Sequence, residues 1–182
     1  PFPSLMLQAG YIIVSIDYRL APETKLPGIV EDVVDACAWV RTKGPALFDA
    51  NVDRLAVAGG SAGGYLTLAA GNHVTPRLNV LASFSGYCDL AGPWATGPST
   101  DPSHQETSLS RDTVSAFEPG PPVSNKYERT YDLTPYYNAW RTTGFWPEAV
   151  TGWNPKTEIA NYLPYLNHSG VDPEYPPTIQ IH

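Results

Sequence analysis

The sequence predicts a three-layered α/β fold on a mainly parallel sheet. Three observations predict it: short runs of β-branched and small apolar residues that suit buried strands, stretches of helical apolar spacing between them, and a Gly-rich turn joining one run directly to a helix-forming stretch. Strands alternating with helices in this way imply βαβ units, whose right-handed crossovers cover a parallel sheet on both faces.

Tyr11-Ile12-Ile13-Val14-Ser15-Ile16 follows Gly10 and is expected to form a central strand. After the punctuation of Pro22 and Pro27, Val30, Val33, Val34, Cys37 and Val40 recur at helical spacing, with Glu31, Asp32, Asp35 and Arg41 opposite them; this predicts an amphipathic helix over about 28–43. A second run, Leu55-Ala56-Val57-Ala58, leads through Gly59-Gly60-Ser61-Ala62-Gly63-Gly64 into the helix formers from Tyr65 to Ala70. Val80 to Phe84 reads as a third strand and Pro177 to Ile181 as a last one.

Between Tyr87 and Tyr165 the alternation stops. That stretch holds 13 of the 21 Phe, Trp and Tyr residues, too apolar for a disordered linker and too long for a simple connection. It is expected to fold as a cap-like insertion at about 87–165, within one partial domain spanning 1–182. Short helices are expected near Ser108–Phe117 and Tyr136–Thr142.

Composition narrows the function. With 11 Lys and Arg against 18 Asp and Glu, a formal charge of −7 argues against nucleic acid, whose binding needs clustered cations. No stretch reaches the roughly 18 apolar residues of a membrane span. Cys37 and Cys88 form no disulfide framework and no zinc spacing, and no metal or cofactor is expected. The first residues carry no secretion signal and no initiator Met, which favours a cytoplasmic protein whose beginning lies upstream and leaves secretion open. Asn167-His168-Ser169 matches a glycosylation acceptor, a triplet frequent by chance.

Gly59-Gly60-Ser61-Ala62-Gly63 is G-x-S-x-G, set directly after a buried strand and before a helix, where the motif has a mechanism. The sharp turn lifts the Ser61 hydroxyl clear of the sheet, making it the candidate nucleophile. Small neighbours, Gly59, Gly60 and Gly63 among them, let strand and helix approach. The Ala62 N–H at the helix start is expected to form half of an oxyanion hole. A phosphate loop fits poorly, since no Lys follows and G-x-G-x-x-G is not matched.

The strings Ser15-Ile16-Asp17-Tyr18-Arg19-Leu20-Ala21-Pro22-Glu23, Val30-Glu31-Asp32 and Arg54 to Gly64 together resemble the hormone-sensitive-lipase branch of the α/β hydrolases, the fold-3 esterases. Pro176 to His182 resembles the strand that precedes the acid in such enzymes. The resemblance covers about 5–90 and 175–182. It implies a serine carboxylesterase or lipase-like enzyme cleaving small-molecule esters through an acyl-enzyme. It also implies a central fragment, because no H-G-G oxyanion loop is present and the catalytic acid and histidine would lie beyond His182. Gly60 stands where the family more often has Asp.

Within the chain, His104, His168 and His182 are the only histidines in the right order for the base. All three, and His73, read better as structural or solvated. Asp17 is expected to support Arg19, and Asp89 to cap a loop. Trp94, Tyr136, Tyr137, Trp140, Phe145, Trp146 and Trp153 are candidates for lining an acyl or aryl pocket. Two other readings stay open: a serine peptidase or amidase of the same fold, and a non-catalytic binding module on the same scaffold.

Overall fold

The computed structural model describes residues 2–105 and 109–182. Helix α1 (Phe2–Gln8) is followed by the long helix α2 (Leu26–Phe48), strand β1 (Ala56–Gly60), helix α3 (Ala62–His73) and strand β2 (Val80–Phe84). Short helices α4 (Pro93–Thr96), α5 (Arg111–Ser115), α6 (Thr134–Thr143), α7 (Trp146–Thr151) and α8 (Ile159–Tyr162) precede strand β3 (Thr178–Ile181). The described strands pair in parallel in the order β1-β2-β3, with Gly60 beside Phe84 and Phe84 beside Ile181.

Helix α2 forms where the apolar spacing places it but runs longer than 28–43. Pro27 pre-sets the first turn, and the chain passes through Gly44 and Pro45 before Asp49 caps it in the left-handed region. Its buried stripe, Ile29, Val30, Val33 and Cys37, packs in one core with Tyr65, Leu66, Ala69 and Ala70 of α3 and Leu81 of β2. Burial pushes the Cys37 thiol upward from its ordinary value, and both cysteines are free. The expected short helices are α5 and α6; Ser108, the first residue of the expected 108–117 helix, lies outside the described residues.

One expectation fails. Tyr11 to Ile16 is not a strand, and β1 is the edge of the described sheet, not its centre. Residues 12–16 make no backbone hydrogen bond with any described residue, and Tyr11, Ile12, Ile13, Val14 and Ile16 are 36–59% exposed. The run faces β1 across a groove of about 780 Å³, also lined by Val33, Cys37 and Val40 of α2. A parallel strand exists only through a ladder with a neighbour about 4.8 Å away, and no described strand lies there. β-Branched composition alone does not supply one.

Candidate active site

Ser61 occupies the turn between β1 and α3. Its φ of 54° and ψ of −118° lie in a region that non-glycine residues rarely adopt. Both peptide groups of Ser61 are held: its N–H donates to the Phe84 carbonyl at the end of β2 (2.8 Å), and its carbonyl accepts from Tyr65 N–H in the first turn of α3 (3.1 Å). The side chain is exposed, and so is Ala62. The Ala62 N–H opens α3, where helix N–H groups have no intrahelical acceptor and the dipole favours negative charge.

The glycines around this turn divide into two kinds. A Cβ on Gly59 would land on the Gly63 carbonyl, and one on Gly64 would come within 2.7 Å of Gly86 Cα. By contrast, a Cβ on Gly60 would meet only Phe84 O at 3.8 Å, and one on Gly63 nothing within 4 Å. Small size is therefore required at Gly59 and Gly64, while Gly60 and Gly63 leave room for a side chain. Buried Ser83 adds a tie, its hydroxyl donating to Gly64 O at 3.1 Å. Neither Ser83 nor Gly86 is singled out by the motif; their signal is the small-residue stretch closing β2.

A family model described as alpha/beta hydrolase fold matches residues 3–133, more than two thirds of the chain. The chain belongs to this family. It is 50% identical over 62 residues to Esterase LipI of Mycobacterium tuberculosis, covering 34% of this chain and 18% of that protein. It is 34% identical over 184 residues to the non-reducing polyketide synthase ausA of Aspergillus calidoustus, covering 87% of this chain and 6% of that protein. A solved esterase from Pyrobaculum calidifontis superposes with a TM-score of 0.57 at 23% identity, covering 97% of this chain and 47% of that one, and shares the fold. The chain thus spans well under a third of those two sequence relatives and about half of the solved chain.

The chain's four histidines all have other settings. His104 Nδ1 is 2.8 Å from Ser99 Oγ, and its ring packs edge-on to Tyr137. His73 Nε2 is 2.8 Å from Pro164 O, and its ring stacks on Tyr165. His182 Nε2 lies 2.9 Å from Gln180 Nε2, and His168 is exposed. None of these contacts is with Ser61. Asp89 caps a loop as expected, accepting from Ala91 and Gly92 N–H at 2.8 Å each.

Asp17 does not support Arg19. It is exposed, and Arg19 instead forks onto Asp32 of α2 through Nε (3.0 Å) and Nη2 (2.7 Å). Burial opposes the Asp32 charge, but the Arg19 hydrogen bonds outweigh it and hold the carboxyl below its usual range. Glu23 is more deeply placed: Arg129 donates to both its oxygens (2.6 and 3.0 Å) and Tyr131 donates its hydroxyl. Here too the donors outweigh burial, so Glu23 is held low, while burial and the Glu23 bond push Tyr131 up to about 12. The family-like string from Asp17 to Glu23 is thus fastened by two ion pairs, one to α2 and one to the aromatic segment.

Of the seven candidate pocket aromatics, Tyr137 meets His104 and Phe145 lies under Arg111, and the other five fall into three groups. Tyr136 and Trp140 surround Phe117, and Trp153 packs on Tyr162 and Tyr165. Trp94 and Trp146 meet Tyr87, which stacks on Tyr65 one turn beyond Ser61. Asn167 of the glycosylation triplet is 3% exposed and its Nδ2 donates to Tyr65 O (3.1 Å), so its amide nitrogen is already engaged.

Proposed function

We propose that the protein hydrolyses carboxylic esters of small molecules, with Ser61 as the nucleophile. The observation that carries this reading is an exposed serine held at positive φ between β1 and the first N–H groups of α3. Ser61 Oγ attacks the ester carbonyl carbon as its proton passes to a general base. The oxyanion receives the Ala62 N–H and the field of the helix N-terminus. The alkoxide leaves protonated as the acyl-enzyme forms, and water then releases the acid and restores the serine. Residues 87–165, cap-like in this reading, cover the acyl side, with Tyr87, Trp94 and Trp146 linked to α3 through Tyr65.

A serine hydroxyl without a base is a weak nucleophile. No described histidine contacts Ser61, so the base, the acid and the second oxyanion donor belong, in this reading, to polypeptide outside residues 1–182. The test is p-nitrophenyl acetate turnover and fluorophosphonate labelling of the full-length protein. Ser61→Ala is expected to remove labelling and to lower kcat by about 10⁶, the scale measured for a serine protease. Residues 1–182 alone are expected to show no appreciable turnover. Full-length protein that folds but neither labels nor turns over any ester would favour the binding scaffold; preference for aminoacyl amides would make it an amidase.

A further inference from the structure

The aromatic segment encloses a cation that forms no ion pair with any described carboxylate. Arg141, in α6, is 4% exposed. Its guanidinium sits in the corner of two indoles set at 88° with centroids 5.8 Å apart, its Cζ 4.6 Å from the Trp94 ring centroid and 4.8 Å from that of Trp146. Among the described residues its side chain makes no salt bridge, and Nη1 is buried with no acceptor. The ring faces attract the charge but accept none of its N–H groups in hydrogen bonds of ordinary strength. The other deeply placed arginine, Arg129, has both oxygens of Glu23. Asp101 feels the Arg141 charge, but its Oδ1 is taken by the Ser103 N–H and hydroxyl at 2.9 and 2.7 Å.

The position of this cation gives it a use. Trp94 and Trp146 each contact Tyr87, with centroids 5.5 and 5.3 Å apart, and Tyr87 stacks at 5.1 Å on Tyr65 in the first turn of α3. A chain of rings therefore joins Arg141 to the turn that carries Ser61. Trp94, on the outer side, is 57% exposed and sits on the four-residue helix α4 between Gly92 and Gly97.

We propose that Arg141 recognises the carboxylate of an anionic ester, seated against Trp146, with Trp94 turning aside to admit it. A guanidinium presents a planar fork that matches a carboxylate through two parallel hydrogen bonds, and indole walls suit a short carbon chain. The substrate class is a half-ester of a dicarboxylic acid, whose free carboxylate reaches Arg141 while its ester carbonyl reaches Ser61. The substrate assignment rests on the ester-hydrolase reading; the carboxylate site does not.

The test uses the full-length protein carrying Ser61→Ala, with Trp emission followed during titration by monomethyl glutarate or by its neutral counterpart dimethyl glutarate. A saturable change with the monoester at much lower concentration than with the diester is expected. Arg141→Gln should weaken the monoester by roughly 10–100-fold, the scale of a lost charge-assisted bond. Arg141→Lys keeps the charge but loses the fork, and should weaken it severalfold. With Ser61 present, the kcat/KM ratio of mono-p-nitrophenyl glutarate to p-nitrophenyl pentanoate should fall at least about tenfold in Arg141→Gln. Equal response to the two methyl esters, or no saturable response, overturns the proposal without recourse to any Arg141 variant. Binding with no turnover of any ester keeps the carboxylate site and removes the hydrolase reading. Turnover without charge discrimination does the reverse.

Discussion

At the elbow, the contacts that fix geometry are backbone against backbone: Gly59 on the Gly63 carbonyl, Gly64 on Gly86. From Tyr87 to Tyr165 they are ring against ring, as in Tyr87 with Trp146 and Phe117 with Tyr136. The first arrangement tolerates no added atom at particular positions, because close-packed backbones have nowhere to move. The second spreads its packing over large side chains, whose geometry adapts. The proposed reaction would benefit from the difference: Ser61 stays where it is while its surroundings accommodate a ligand.

The largest expected effect lies where the aromatic segment is tied to the Asp17–Glu23 string. Arg129→Met leaves Glu23 buried without its cation, and should lower unfolding free energy by about 3–5 kcal/mol in urea titration. Because Glu23 is held low in the folded state, its stabilising contribution is present above its ordinary pKa of about 4.3 and is lost as pH falls through the lower folded value. Glu23→Gln should flatten that acid limb; an unchanged limb would show that other carboxylates dominate it.

Next comes the elbow itself. Gly59→Ala should cost roughly 1–3 kcal/mol or more, since the clash is with backbone, and should displace Ser61 enough to slow fluorophosphonate labelling. Gly63→Ala, with open space at its Cβ, should be neutral or stabilise α3 by up to about 1 kcal/mol. Equal losses at both glycines would mean that the turn, not the packing, demands them.

The ring segment should respond more mildly. Tyr162 donates to Trp153 O (2.6 Å) and lies 2.9 Å from Thr151 Oγ1. Tyr162→Phe keeps the ring contacts and should cost about 1 kcal/mol, since Thr151 Oγ1 still donates to Pro147 O (2.8 Å) and lies 3.3 Å from Trp153 O. The smallest effect is expected from Arg77→Ala. The Arg77–Asp172 pair is well formed but exposed, so its loss should leave the melting temperature unchanged at physiological salt.

The elbow was legible in the sequence because its physical requirement falls on single positions that glycine and serine satisfy best, at fixed offsets between strand and helix. Helix α2 was legible through its stripe from Val30 to Val40, though its end was not, since Gly44 and Pro45 punctuate a helix that packing continues. The run from Tyr11 to Ile16 misled because composition states that a residue can sit in a sheet, whereas pairing depends on a neighbour in space. Sequence proximity offers Arg19 the nearby Asp17, yet Asp32, 13 residues on in α2, takes two of its guanidinium nitrogens. Arg141 carried no signal at all. Only the fold brings two tryptophans, from helices on either side of it in sequence, edge to face around one guanidinium.

The unpaired run beside β1 has a consequence of its own. Tyr-Ile-Ile-Val-Ser-Ile is a six-residue stretch of high β-propensity without charge, proline or glycine, and from Ile12 onward its backbone is unclaimed by any described residue. Such segments stack into cross-β zippers when copies meet. Ala-Val-Ala-Gly-Gly of β1, equally open on one edge, has small side chains and little to interdigitate. In a preparation of residues 1–182, amyloid formation should therefore begin at Tyr11–Ile16 and leave β1 aside, and a lysine placed at Ile13 should delay thioflavin-positive fibrils.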